Sequence, residues 1–309
     1  MMLDQTIFVI SDDTGALNDL CAGAKTLAQR VTAIVFGDKS AAEAAAGCGA
    51  DAIRFCPVGG ESAPEDYAAA IAAEVTKEEK AFVMVNNSIR GRCLAGQIGV
   101  LLDTPVLTSV GAVAEENGAL MCRRMVYGGT AQRSERFTRA YGVATVSGGA
   151  FEPGTGFPAT ADIAQLEGAP RAGIRRIARA EKKEGGVNLV AAKRIVDVGR
   201  GLAAEEDLAL CRELAGVLGA EVGCSRPVAE NNKWLPKSSY MGITGVQVKP
   251  DVIVTLGVSG QVQHIGGINK SKVIVAINKD KAAPIFKSCD FGLVGDLYKI
   301  VPELIKKLS

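Results

Sequence analysis

The stretch from residue 251 to residue 267, DVIVTLGVSGQVQHIGG, reads as a short apolar strand, a glycine-rich turn and the start of a helix. Small residues in such a turn let the backbone approach a bound anion. A helix N-terminus adds amide donors and the positive end of its dipole. The turn matches neither GxGxxG nor GxxxxGK[ST], so the simple dinucleotide fingerprint and the lysine that grips a γ-phosphate are both missing. The stretch also holds His264, the single histidine of the 309 residues. If a helix starts near Gly260, Gly260 and His264 share one face, and the histidine leans back over the turn.

Working outward, the second half of the chain repeats this alternation. Strands are expected at 194–199, 220–224, 251–257, 272–278 and 291–295. An amphipathic helix is expected over 203–219 with acidic residues in its first turn, and a closing helix over 296–308 with lysines in its last. In open parallel sheets, ligands bind beyond the carboxyl ends of the strands. Those ends carry Gly199-Arg200-Gly201, Ser225-Arg226, Gly257-Val258-Ser259-Gly260, Asn278-Lys279-Asp280 and Asp296. Turns favour glycine, asparagine and aspartate anyway. Two arginines and a GxSG turn at neighbouring strand ends point further, to a nucleotide-type ligand with Arg200 as a phosphate contact.

The first half alternates in the same way. Strands are expected at 6–11, 31–36, 51–56 and 81–86, with alanine-rich helices over 16–30, 39–47, 64–79 and 89–102. From Pro105 to Ser147 the pattern changes to several strands joined by turns, expected as an antiparallel extension of the same domain. Residues 151–170 are rich in Pro, Gly and Ala and read as a linker or an extended crossing segment. The basic stretch 171–186 reads as a solvated charged element, with a partner contact as the alternative. The expected division is a domain over 1–188 and a second over 189–309. At the end of the strand 81–86, NNSIRGR (86–92) reads as a capped helix with surface arginines, or as an anion site.

Composition narrows the function class. A net charge of +1 gives no field for nucleic acid or an anionic membrane. No apolar run approaches the roughly 20 residues of a spanning helix, and the N-terminus carries no signal-peptide pattern. The eight cysteines form no CxxC pair, and with one histidine they make a zinc or iron–sulfur site improbable. They read instead as small buried hydrophobes of a reduced cytoplasmic protein.

With those residues in place, the sequence resembles the α subunit of electron transfer flavoproteins, in its FixB-type branch. GRGL, VGCSRP, GITG, LGVSGQVQHIGG, VIVAINKDKAAPIF and CDFGLVGDLYKIVPELI follow one another in the order and spacing of that family from Ala191 to Ser309. Over 1–150 the likeness is looser, carried by MVYGG and TVSGGAFEP. The resemblance implies FAD held mainly by the C-terminal domain, and a heterodimer with a β subunit. It implies electron passage from a flavin dehydrogenase, such as an acyl-CoA dehydrogenase, to an acceptor such as a quinone oxidoreductase. Any AMP or second flavin would belong to the β chain.

The resemblance also assigns residues. Arg200 falls near the cofactor phosphates. Ser225 and Arg226 fall beside the isoalloxazine, and Thr244, following Gly242 in GITG, near flavin N5. Gly257 and the run Ser259, Gly260, Gln261, Val262, Gln263 and His264 fall along the ribityl and phosphate region, with His264 at the N1/O2 edge. Asn278, Asp296 and Leu297 fall around the adenosine end. Ile243 stands where the family commonly has glutamine, and Val246 where it often has lysine, so a hydrogen bond to the flavin is expected to be missing. No cysteine or glutamate sits in a catalytic motif, so an electron carrier is expected before a self-contained flavin oxidoreductase or a nucleotide sensor without redox turnover.

Overall fold

The computed structural model describes residues 2–152, 154, 156–171, 176–178 and 187–309. Most of the basic stretch, 172–175 and 179–186, lies outside the described residues. Contacts divide the chain into two units, Met1–Val126 with Ala131–Ala180, and Tyr127–Thr130 with Glu181–Ser309.

The first unit opens with β1 (Leu3–Ser11), α1 (Thr14–Leu27), β2 (Ala28–Phe36), α2 (Lys39–Ala44), β3 (Ala52–Cys56), α3 (Ala68–Val75), β4 (Ala81–Asn86) and α4 (Ile89–Leu101). The helix starts are written in the sequence. The Asp13 carboxylate accepts the Ala16 amide at 2.8 Å, and the Ser88 hydroxyl accepts the Gly91 amide at 2.9 Å. Then come β5 (Val106–Val110), β6 (Ala112–Glu116), β7 (Ala119–Val126), β8 (Ala131–Arg136), β9 (Tyr141–Val146) and β10 (Asp162–Gln165).

Seven of these strands form a sheet in the order β10-β3-β2-β1-β4-β9-β5, parallel at every pairing. Its strands bury both faces. Along β1, Ile7 and Val9 enter one core, and Phe8 and Ile10 enter the other. The expected antiparallel extension is therefore only partly what forms. Strands β6, β7 and β8 make a separate antiparallel sheet. β5 and β9 join the parallel sheet, because β9 is apolar on both faces, with Val143, Ala144 and Val146 fully buried. Within 151–170, residues 162–165 are extended and pair with β3 as an edge strand.

The second unit runs β11 (Arg194–Val198), α5 (Leu208–Leu218), β12 (Glu221–Cys224), β13 (Val252–Leu256), α6 (Val262–Ile268), β14 (Val273–Asn278), β15 (Phe291–Val294) and α7 (Leu297–Leu308). All five strands are parallel, in the order β12-β11-β13-β14-β15. Counted within the unit this is 2-1-3-4-5, a doubly wound order whose direction reverses between β11 and β13. Helix α5 starts later than expected. Glu205 and Glu206 lie in tight turns ahead of it, and Asp207 folds back to accept the Ala204 amide at 3.0 Å. The acidic residues thus precede the helix instead of filling its first turn. Among the described residues, no helix is long and apolar enough to cross a membrane.

Candidate functional site

A cavity of about 550 Å³ opens in the second unit, where the turns after β11 and β13 diverge. This is the switch point, where a parallel sheet leaves a crevice because its connections run to opposite faces. Its base is buried and formed by Ser225, Tyr240, Met241, Gly242, Val258 and His264; Arg200, Arg226, Thr244, Ser259, Gln261 and Gln263 stand exposed around them.

Close backbone packing shapes the floor. Gly257 turns with φ of 64°, in the left-handed region that glycine adopts freely. A Cβ on Gly199 would stand 2.3 Å from the Gly257 carbonyl oxygen, so the turns after β11 and β13 touch through bare backbone. Gly267 works the same way on α6. A Cβ there would stand 2.3 Å from the Gly242 amide nitrogen, so the helix lies directly against the GITG turn.

That approach settles His264. It lines the cavity from α6, as its spacing from Gly260 predicts, but both ring nitrogens face inward. Nδ1 lies 3.0 Å from the Met241 carbonyl oxygen, and Nε2 lies 2.7 Å from Asp197 Oδ2. The ring is engaged within the chain, so the expected donor to the flavin N1/O2 edge is already committed to these acceptors. Burial pulls the proton affinity of the ring down. The Asp197 charge and hydrogen bond, with the Met241 carbonyl, outweigh it and leave the pKa of His264 raised.

The other expected residues divide clearly. Arg200, Ser225, Arg226, Gly242, Thr244, Gly257, Ser259, Gln261 and Gln263 line the cavity with His264. Arg226 pairs with Glu230 at 2.6 Å, one helical turn on, which anchors its guanidinium beside the cavity. Thr244 Oγ1 accepts the Tyr240 hydroxyl at 2.9 Å. Gly260, Val262, Asn278, Asp296 and Leu297 are not part of this lining. Gly260 is a close-approach position, where a Cβ would meet the Ile285 amide nitrogen at 2.2 Å. Val262 is exposed. Asn278 donates to the Val258 carbonyl at 2.8 Å and so braces the turn from behind. Asp296 caps α7 through the Tyr298 amide at 3.0 Å, and the Leu297 side chain is buried in the core under α5 and α7.

Gly201 and Val258, already named in the strand-end turns, complete the lining with Pro227, Tyr240 and Met241, which sequence reasoning did not single out, nor did it single out Asp197 behind it. Gly201 and Pro227 adjoin residues that were chosen. Asp197 did carry a signal, a charged residue within the apolar run that follows Arg194 in the strand RIVDV.

Residues 8–184 match the electron transfer flavoprotein domain, and residues 188–269 match the electron transfer flavoprotein FAD-binding domain. YdiR of Escherichia coli (strain K12), named for a subunit of an electron transfer flavoprotein, is 40% identical over 309 residues, covering 98% of each chain. Protein FixB of Escherichia coli O81 (strain ED1a) is 37% identical over 308 residues, again covering 98% of each. The residues present suit that cofactor. Gly257 and Ser259 line the cavity as small residues that leave the backbone within reach of a phosphate chain, Arg200 offers a cation, and the cavity takes a flavin-sized group. The chain belongs to the electron transfer flavoprotein family, in its α-type, FixB-like branch, and its cofactor is FAD.

Proposed function

We propose that this chain works as one subunit of a heterodimer with an electron transfer flavoprotein β subunit, and that the complex carries electrons between a flavin dehydrogenase, probed first with an acyl-CoA dehydrogenase, and an acceptor such as a quinone oxidoreductase. The observation that carries this reading is the cavity at the β11/β13 switch point, set in the segment that matches the FAD-binding domain. The flavin supplies the redox chemistry, and the chain supplies binding, orientation and electrostatics.

The residues divide that work by position. Arg200, exposed after β11, meets the phosphates. The turn 257–259 gives them a close backbone surface. Arg226, at the start of the helical turn after β12, and Thr244, in the GITG turn, line the cavity, and this reading assigns them the ring edge. Cationic side chains beside a group that gains negative charge stabilise its reduced form, most strongly where water is excluded. Glu230 tempers that effect by neutralising part of the Arg226 charge. Among the titratable lining residues, none has the nucleophile-and-base arrangement of a substrate-converting site, which favours a carrier over a self-contained oxidoreductase.

The test is co-production with a β subunit, followed by reconstitution with FAD. The expected product is a yellow heterodimer whose flavin is bleached by a reduced dehydrogenase and recoloured by a quinone oxidoreductase. A complex that binds FAD tightly but exchanges electrons with neither would turn the reading toward a nucleotide sensor. Turnover of a small substrate by the isolated chain would turn it toward an oxidoreductase.

A further inference from the structure

Asp197 is a carboxylate in the middle of a parallel strand, fully buried, with Val196 and Val198 on either side. An isolated buried charge is too costly to persist, so such a group is paired. Its Oδ2 meets His264 Nε2 at 2.7 Å, a contact made across 67 positions of the sequence. The register of the sheet brings this about. Asp197 of β11 lies opposite Thr255 of β13, so both side chains leave the sheet on one face. Ile195 and Ile253 show which face, since they pack with Ile268 of α6. α6 lies over that face and hands His264 down to the carboxylate.

The Met241 carbonyl can only accept, so Nδ1 carries a proton toward it. The Nε2–Oδ2 contact holds a second proton, and with Asp197 ionised that proton sits on Nε2. His264 borders the cavity while Asp197 does not, so the ring lies between the carboxylate and the ligand space. We propose that Asp197 is a positioning residue of the flavin site: its buried carboxylate holds His264 doubly protonated and in one orientation, so the cavity wall presents the positive end of a buried ion pair. The histidine then acts on a bound flavin through its charge, since neither of its N–H groups is free to donate. This rests on the cavity being the flavin site.

The other groups around the pair are few. The Cys224 thiol of β12 feels Asp197; burial, and then that carboxylate, push it up to about 12, so it stays neutral. Tyr240 and the guanidinium groups of Arg200 and Arg226 line the same cavity. Asp197 Oδ1 and Thr255 Oγ1 have no partner of their own. The bare Oδ1 is a further reason for the carboxylate to keep its bond to the ring, because losing it would leave a second buried oxygen unpaired.

The single histidine makes the test direct. The full-length chain labelled with 15N-histidine gives one imidazole, whose two nitrogens report protonation and tautomer. In the wild-type chain both nitrogens are expected to read as protonated at pH 7, and the ring to lose its proton in one step above the ordinary value of about 6.5. In Asp197→Asn the opposing charge is gone and only neutral acceptors, the Met241 carbonyl among them, still offset burial, so the step is expected at least about one pH unit lower, a tenfold loss of proton affinity. A neutral wild-type ring at pH 6–7, or the same midpoint in both proteins, would overturn the proposal. The wild-type titration decides by itself if the variant does not fold. FAD-loaded heterodimers then give the second readout at pH 7. Asp197→Asn is expected to favour the oxidised over the reduced flavin about tenfold more than wild type does, and an unchanged balance would overturn the electrostatic role. If the wild-type complex takes up no FAD, the cofactor reading fails, while the ring titration, which needs no flavin, still decides the pairing.

Discussion

Gly199→Ala places one methyl group where the turns after β11 and β13 touch. The new Cβ would stand 2.3 Å from the Gly257 carbonyl oxygen, 2.5 Å from its carbonyl carbon and 2.5 Å from the Val258 amide nitrogen. All three are backbone atoms, so no rotamer change relieves the clash, and the turns must part. Overpacking of this kind costs about 1–3 kcal/mol. Gly199 does not have a positive φ, so the close approach alone sets the cost. Gly216→Ala is the matched control. It lies near the end of α5, where a Cβ would meet nothing within 4 Å, and alanine should stabilise the helix by about 0.5 kcal/mol. The same chemical change is therefore expected to have opposite signs at two sites in one unit. Trp234, the single tryptophan, lies in that unit, and its fluorescence reports urea unfolding there. With a loss of about 2 kcal/mol and a slope of about 2 kcal/mol/M, Gly199→Ala lowers the midpoint by about 1 M. FAD affinity should also fall by about tenfold or more, since each 1.4 kcal/mol is about a factor of ten and the displaced turn is the floor of the cavity. A Gly199→Ala chain with the midpoint and FAD affinity of wild type would refute the close-packed floor.

Other perturbations separate the roles. Arg200→Ala removes an exposed cation with no buried packing, so the fold should hold while the FAD dissociation constant rises about ten- to hundredfold and becomes less sensitive to salt; isothermal titration at two ionic strengths checks this. Tyr240→Phe deletes the hydroxyl that holds Thr244, a loss of about 1 kcal/mol, and should weaken FAD binding about fivefold without changing the salt dependence. Burial holds the thiols of Cys56, Cys122, Cys211 and Cys224 up at about 12, whereas unfolded thiols ionise near the ordinary value. Their stabilising contribution is complete below pH 8 to 9 and lost as the pH rises toward 12, so urea midpoints should decline across that window, and a flat profile would count against their burial. Exposed Cys93 should alkylate before any of those four in a timed mass-spectrometric assay at pH 8.

Much of the molecule is legible locally. Strand VIVTL, turn GVSG and the following helix lie where their periodicity and glycines predict, because each of those signals acts within a few residues. The choice of Arg200, Ser225, Arg226, Gly257, Ser259 and His264 also needs only local reading plus the rule that ligands collect at strand ends, whereas Gln261 and Gln263 came with the family resemblance. At Asn278 and Asp296 the same rule meets residues that stand outside this cavity's lining. Both sit at strand ends, but one braces the β13 turn and the other caps α7. Strand ends need such residues whether or not a ligand is near.

The sequence by itself determined the alternation of strands and helices, the family and the cofactor, since these rest on short-range pattern and on motifs in order. Only the tertiary structure decided the strand order β12-β11-β13-β14-β15, and with it which ends face one cavity. It also moved β5 and β9 into the parallel sheet and gave His264 its true neighbours, Asp197 and Met241. Pairing across tens of residues depends on sheet register and on how closely bare glycine backbone lets a helix approach. Neither leaves a periodic mark in the chain.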